Sequence, residues 1–239
     1  MSINKEFSKY AHKYQQLNQI QAEVAKKLIT SLTPTGHPAC KPKKILDLGC
    51  GSGAIYNLID WEIEKFVGVD FSSNMLSLHP KAENVTCKLG DFNDAKLFEA
   101  LREEEFDYII SASALQWASD LEKVFSNIAR FHLPFSLAIF SSGTFTTLKK
   151  TAGVESIIPS YKTLKELAEK HLHVDVGIEK VFYTLEFENT REMLRYIKRS
   201  GVSGGRNLLT YKQTKKLMDE YPLNYLEFEV VYINSFSKA

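Results

Sequence analysis

The stretch "ILDLGCGSG" at residues 45–53 combines one acid with three glycines at two-residue spacing: Asp47, then Gly49, Gly51 and Gly53. Glycines at the end of an apolar strand make a tight turn and let a ligand lie directly against the backbone. Asp70, closing "GVD" roughly 20 residues further on, is placed to accept hydrogen bonds from both hydroxyls of a ribose. A nicotinamide dinucleotide is one ligand for such a loop, but the carboxylate of Asp47 would repel a pyrophosphate and attract the ammonium group of an amino acid. Asp91, in "LGDF", follows a third strand-like run. Taken singly, Asp47 also suits a turn and Asp91 a helix cap; the common position of Asp47, Asp70 and Asp91 at three successive strand ends argues against that reading for all three together. A fourth signal, "SASALQW" at 111–117, sets Gln116 and Trp117 at the end of another apolar run. An aromatic wall beside a ligand cation gains cation–π attraction, although an aromatic at such a place also serves as plain core, and Gln116 as a loop amide.

These residues need elements to carry them. Short β-rich runs alternate with helical stretches from Lys43 onward: "KKILDL" (43–48), "KFVGVD" (65–70), "VTCKLGD" (85–91), "DYIISA" (107–112) and "LAIFSS" (137–142). That rhythm predicts right-handed crossovers and a doubly wound, Rossmann-like α/β sheet, mostly parallel, with a helix following the glycine loop. Ahead of it, Phe7, Tyr10, Tyr14, Leu17, Val24 and Leu28 recur at helical spacing with Gln21 on the same stripe, predicting an N-terminal helix over 5–32. Beyond Ser142 the sequence predicts a helix near 162–171, a strand near 174–187, helices at 190–200 and 210–220, and the closing strand "LEFEVVYI". Alternation of Glu227 and Glu229 with apolar neighbours there reads as a half-buried edge strand in an antiparallel final pair. The whole chain reads as one domain: N-terminal helix and linker (1–42), cofactor-binding core (43–189), helical lid insertion (190–222) and final strand (223–239).

With "F-x2-Y-x3-Y-x6-Q" over residues 7–21, the D-x-G-x-G-x-G loop, "ALQW" and a tail reading "IKRSGVSGGRNLLTYKQ … EFEVVY", the chain resembles the class I S-adenosylmethionine-dependent methyltransferases. Within them it is similar to the malonyl-acyl-carrier-protein O-methyltransferase family of biotin synthesis. Two features depart from that family: "FHLPFSLAIF" lacks paired glycines before the fifth strand, and "SSGTFTTLKK" lacks an acidic-leucine step. The resemblance implies S-adenosylmethionine as cofactor, with Tyr14, Gln21, Asp47, Gly49, Cys50, Gly51, Gly53, Asp70, Phe71, Met75, Asp91, Phe92 and Ala112 around it. It implies an acceptor side built from Tyr14, Gln116, Trp117, Arg199 and Arg206. Arg206 is favoured as a carboxylate clamp because a guanidinium offers two parallel hydrogen bonds. The implied reaction converts the free carboxylate of a malonyl thioester on acyl carrier protein into a methyl ester, with a small free acid or malonyl-CoA as alternative acceptors. A non-catalytic S-adenosylmethionine-binding interaction protein is the alternative of another class. Because a carboxylate is already ionised at neutral pH, no general base is expected.

Composition bounds these readings. The 239 residues carry 30 Lys and Arg against 29 Asp and Glu, a formal charge of +1, which argues against wholesale nucleic-acid or membrane-surface binding. The balance is uneven: between 146 and 216 stand fourteen Lys and Arg against eight Asp and Glu, leaving the rest of the chain at −5. That basic half would suit an acidic carrier protein, and solvated helix faces explain part of it. Three cysteines without C-x-x-C spacing and six scattered histidines suggest a reducing compartment and no metal site. The polar N-terminus and the lack of a long apolar run predict a cytoplasmic protein.

Overall fold

A computed structural model of the chain describes residues 18–32, 41–172, 176–199 and 209–235. Five strands whose side chains are largely apolar lie parallel: β1 (Lys44–Leu48), β2 (Lys65–Asp70), β3 (Val85–Leu89), β4 (Tyr108–Ala112) and β5 (Phe135–Phe140). Two long strands, β6 (Val176–Glu186) and β7 (Tyr225–Ser235), complete one seven-stranded sheet in the order β3-β2-β1-β4-β5-β7-β6. β7 runs antiparallel to both of its neighbours. The order reverses between β1 and β4, which is where an open α/β sheet leaves a crevice at its carboxyl ends.

Helices cover both faces because β1, β2 and β5 are buried on both sides and need apolar partners above and below. One core layer gathers α1 (Gln19–Ser31), α5 (Thr146–Ala152), α7 (Thr190–Arg199) and α8 (Tyr211–Glu220). In α1 the residues Ile20, Val24, Ala25 and Leu28 share one face and are all but inaccessible. The opposite layer contains α3 (Ala95–Arg102), α4 (Leu121–Ala129) and α6 (Tyr161–His171), with Phe98, Leu101, Phe125 and Leu164 at its centre. A five-residue α2 (Ser73–Ser77) follows β2. Side-chain caps fix where these helices begin. Asp120 accepts from Lys123 N at 3.0 Å ahead of α4, and Thr210 forms a reciprocal capping box with Gln213 ahead of α8.

Two expectations are corrected here. No α-helix follows the glycine loop; turns lead instead to a single 3-10 turn at Tyr56–Leu58. The return path to β2 must retrace a six-residue strand, about 20 Å, and the eleven residues between Gly53 and Lys65 would span only about 16 Å as a helix. The chain instead returns through turns, the 3-10 turn and a non-helical stretch over 59–64, where Trp61 pins it by donating its indole N–H to the Pro42 carbonyl at 2.8 Å. Secondly, β7 is an inner strand; the edge is β6. The glutamates that suggested an exposed face have protein partners. Glu229, only 8% exposed, accepts from the Ser141 hydroxyl and lies 3.5 Å from the Lys180 ammonium. Glu227 accepts from the backbone N–H and hydroxyl of Thr147 at 2.9 and 2.7 Å. Polar alternation along β7 therefore records internal anchoring of the segment after β5, not contact with water.

Candidate active site

At the carboxyl ends of β1, β2 and β4 lies a cavity of about 290 Å³. Its floor is the glycine loop, with Gly49, Cys50, Gly51 and Ser52 in its lining. Gly49 has φ +80°, and a Cβ there would stand 2.2 Å from the Cβ of Ala114, so only glycine lets the β1 and β4 loops meet. The Gly49 and Cys50 N–H groups both donate to the Val69 carbonyl, at 2.7 and 3.0 Å, which ties the loop to β2. Asp70, the last residue of β2, lines the cavity and is held by two backbone donors, Gly51 N at 2.9 Å and Ser72 N at 2.8 Å. Burial pushes its carboxyl above the usual carboxylate range, while those N–H groups pull it back.

Asp47 lies two residues before the cavity-lining Gly49 and does not reach the lining itself. It is fully buried, and among the described residues neither carboxylate oxygen has a hydrogen-bond partner. Burial pushes its pKa far up, and the neighbouring Asp70 charge adds to the effect. Further buried atoms without a partner among the described residues belong to the cavity lining: both amide atoms of Asn18, the carbonyl oxygen of Gln21 and the hydroxyl of Ser113. Native proteins rarely leave so many buried polar groups unmatched in one place, and a polar, cation-bearing ligand would satisfy them.

Of the residues expected around a cofactor, Gln21, Gly49, Cys50, Gly51, Asp70, Phe71, Met75, Phe92 and Ala112 come together on this lining. Gly53 and Asp91 do not. Gly53 lies beneath the loop against Pro80 and His79, and the exposed Asp91 accepts from the Asn93 backbone and side-chain amides at 2.9 and 2.7 Å. Tyr14 and Arg206 fall outside the described residues, and Arg199 is described only as the last position of α7. No described residue of the expected lid, 190–222, lines the cavity, and its central stretch 200–208 lies outside the described residues. Asn18 and Ser113 were not anticipated. Asn18 was legible in principle, three residues before Gln21 on the same helical face; Ser113 was not, since its role rests on a left-handed φ of +59°.

The two residues of "ALQW" part company. Gln116 is buried and turns back on its own loop, donating from Nε2 to the Ser113 carbonyl at 2.6 Å, and it lines no cavity described here. Trp117 belongs to two cavities. Besides the large one, it walls a second, of about 50 Å³, formed with Thr144, Phe145, Leu148 and Lys149 after β5 and Val154 to Ile158 after α5. Among the described residues no cluster of His, Cys, Asp and Glu is arranged to hold a metal ion, and no helix is long and apolar enough to cross a membrane.

Comparison with known proteins agrees with this geometry. A methyltransferase domain family matches residues 40–186. A malonyl-[acyl-carrier protein] O-methyltransferase of Halorhodospira halophila is 25% identical over 258 residues, covering 96% of this chain and 85% of its own. The protein of the same name from Legionella pneumophila is 25% identical, covering 99% of this chain and 90% of its own. Among solved structures, the YcgJ protein of Bacillus subtilis superposes with a TM-score of 0.61 at 15% identity, over 90% of this chain and 99% of that one. Phosphoethanolamine N-methyltransferase 2 of Haemonchus contortus, in complex with S-adenosyl-L-methionine, does so with a TM-score of 0.57 at 16% identity, over all of this chain and 60% of that one. With an acid-and-glycine loop, an aspartate closing β2 and a crevice at the sheet's switch point, the chain belongs to the methyltransferase domain family and is an S-adenosylmethionine-dependent methyltransferase.

Proposed function

We propose that the chain methylates the free carboxylate of a malonyl group carried as a thioester on acyl carrier protein. The observation that carries the reading is the double role of Trp117, the common wall of the donor-sized cavity and a smaller cavity on the acceptor side. When bound, the donor supplies an electrophilic methyl group on a positively charged sulfur. Asp70 and the glycine-loop backbone would hold its ribose and methionine parts, Asp47 would face its ammonium, and Phe71, Met75 and Phe92 would enclose its base. Trp117 would present an aromatic face toward the cationic centre. The names of the curated relatives support the acceptor.

The chemistry asks little of side chains. A carboxylate is ionised at neutral pH, so the site needs alignment of one oxygen with the methyl group at about 3 Å and exclusion of water, not proton abstraction. This accords with the groups present: Asp70 is committed to backbone donors, and burial pushes the Cys50 thiol up and keeps it protonated. For the carrier protein, α7 offers a docking face. It buries Met193, Tyr196 and Ile197 and exposes Arg191, Arg195 and Lys198, which recur at four- and three-residue spacing on one side of the helix. Exposed Lys212, Lys215 and Lys216 of α8 add to the positive charge. An acidic partner is drawn to such a face.

The test is a mass-spectrometric assay with S-adenosylmethionine and malonyl or acetyl carrier protein, with malonyl-CoA and malonate as further acceptors. One methyl added to malonyl carrier protein and none to the acetyl form is expected. No transfer to malonyl carrier protein by folded, donor-bound protein overturns the reading, and faster transfer to free malonate moves the acceptor to a small acid.

A further inference from the structure

The smaller cavity lies between Trp117 and the segment after β5, and it is apolar apart from a few groups, with Phe145, Leu148 and Ile157 in its walls. Phe145 holds φ +59°, a conformation that costs a bulky residue about 1–3 kcal/mol and concentrates where function demands it. One cation lines this cavity, Lys149. Its ammonium donates to the Ser142 carbonyl, which occupies one of three donors. Among the described residues no carboxylate oxygen stands within 4.0 Å of it. Nearby acids are engaged elsewhere: Glu227 with Thr147, and Glu229 with Ser141 and Lys180. Glu155 shares the cavity lining beyond ion-pair distance of Lys149, and its charge, with those of Glu229 and Glu227, acts on the ammonium from further away. Burial lowers the Lys149 pKa, the mark of an ammonium that has lost water without gaining full compensation.

We propose that this cavity is the acceptor subsite and that Lys149 is the cation that receives the acceptor's carboxylate, beside Trp117. The inference rests on the carboxyl-methylation reading and deepens it by naming the residue that selects an anion. One carboxylate oxygen rests on Nζ, and the other is left to form the new bond to the methyl carbon. As the O–C bond forms, the C–S bond breaks with its electron pair remaining on sulfur. The acceptor's negative charge and the donor's positive charge are both consumed, and no proton moves. A single ammonium with a spare donor suits this step, because it orients the anion without engaging both oxygens. The apolar walls keep water away from the free oxygen.

The test compares wild type, Lys149→Met and Lys149→Arg. Donor Kd is measured by calorimetry, and kcat and KM with malonyl carrier protein. Expected for Lys149→Met is an acceptor KM raised at least about tenfold, as befits loss of a charged hydrogen bond, with donor Kd unchanged and most of the loss recovered in Lys149→Arg. An unmoved KM, or equal loss of donor and acceptor affinity, overturns the assignment. Lys149→Gln serves if the Met variant does not fold. If wild type transfers nothing to malonyl carrier protein, the malonyl reading fails on its own account, and the subsite is judged by calorimetric binding of malonate to protein saturated with S-adenosylhomocysteine. Malonate binding that disappears in Lys149→Met keeps the anion subsite; absent binding in wild type, or binding equal in both, overturns it.

Discussion

The two cavities that meet at Trp117 are built by different means. The floor of the larger cavity, the proposed donor side, is shaped by backbone: a loop whose Gly49 leaves no room for a Cβ, amides that hold Asp70, and the close approach of Ala114 from the loop after β4. The smaller cavity, the proposed acceptor side, is lined from α5 and the loop after it, a segment anchored to β7 through side-chain contacts of Glu227 and Glu229. Even its one tight glycine is defined by a side chain, since a Cβ on Gly143 would meet the Glu229 carboxyl at 2.5 Å. Backbone-built sites tolerate almost no change in shape, whereas side-chain-built sites can be altered in specificity without losing the fold. A conserved donor with a variable acceptor is what this division would permit.

The contrast is most exposed to Gly49→Ala. The new methyl overlaps Ala114 and must adopt a positive φ, so donor affinity should fall more than about 100-fold and stability by about 2–4 kcal/mol. Unchanged donor binding in calorimetry would remove the steric basis of the donor side. Trp117→Ala should cost about 2 kcal/mol in kcat/KM, roughly 30-fold, with donor Kd moving much less. A loss confined to donor binding would instead assign Trp117 to one cavity only. Glu229→Ala strips Ser141 and Lys180 of their partner and should lower stability by about 1–3 kcal/mol in urea unfolding, leaving donor affinity intact.

A pH test separates the two sides further. Burial raises the carboxyl pKa values of Asp47 and Asp70 above their unfolded values. Above the unfolded pKa the native state then holds more protons than the unfolded state, so stability is greatest at low pH and falls as pH rises through the native values. From the ordinary carboxylate pKa of about 4 upward this contribution should decline in the ligand-free protein, and Asp47→Asn should flatten the slope in urea midpoints. A slope unchanged by the substitution would separate Asp47 from the effect. The smallest change is expected from reversing Arg191, Arg195 and Lys198 to glutamate: about three- to fivefold slower association with carrier protein, disappearing at high salt, with donor binding untouched.

The glycine loop and the strand ends of β1 and β2 were legible because they depend on residue type and local spacing. Short apolar runs with turn residues between them predict a parallel sheet whatever packs on it, and a carboxyl-end aspartate is readable at sight. The second cavity was not legible. Its walls come from residues 117, 144–149 and 154–158, separated in the chain, and nothing local marks Lys149 as the lysine facing inward among several outward ones. Gln116 and Trp117 show the same limit in miniature, since adjacent residues of one motif turn in different directions.

By itself the sequence determined the class of fold and the glycine loop at the carboxyl end of β1, because backbone freedom at glycine and hydrophobic periodicity are local properties. Only the tertiary structure decided that β7 is an inner strand, that the glycine loop opens onto a 3-10 turn rather than a helix, and that Trp117 is shared by two cavities. Those outcomes depend on which side chains meet across the sheet. Glu229 looked like a solvent-facing residue until Ser141 and Lys180 were found beside it, and burial with partners reverses what charge alone predicts.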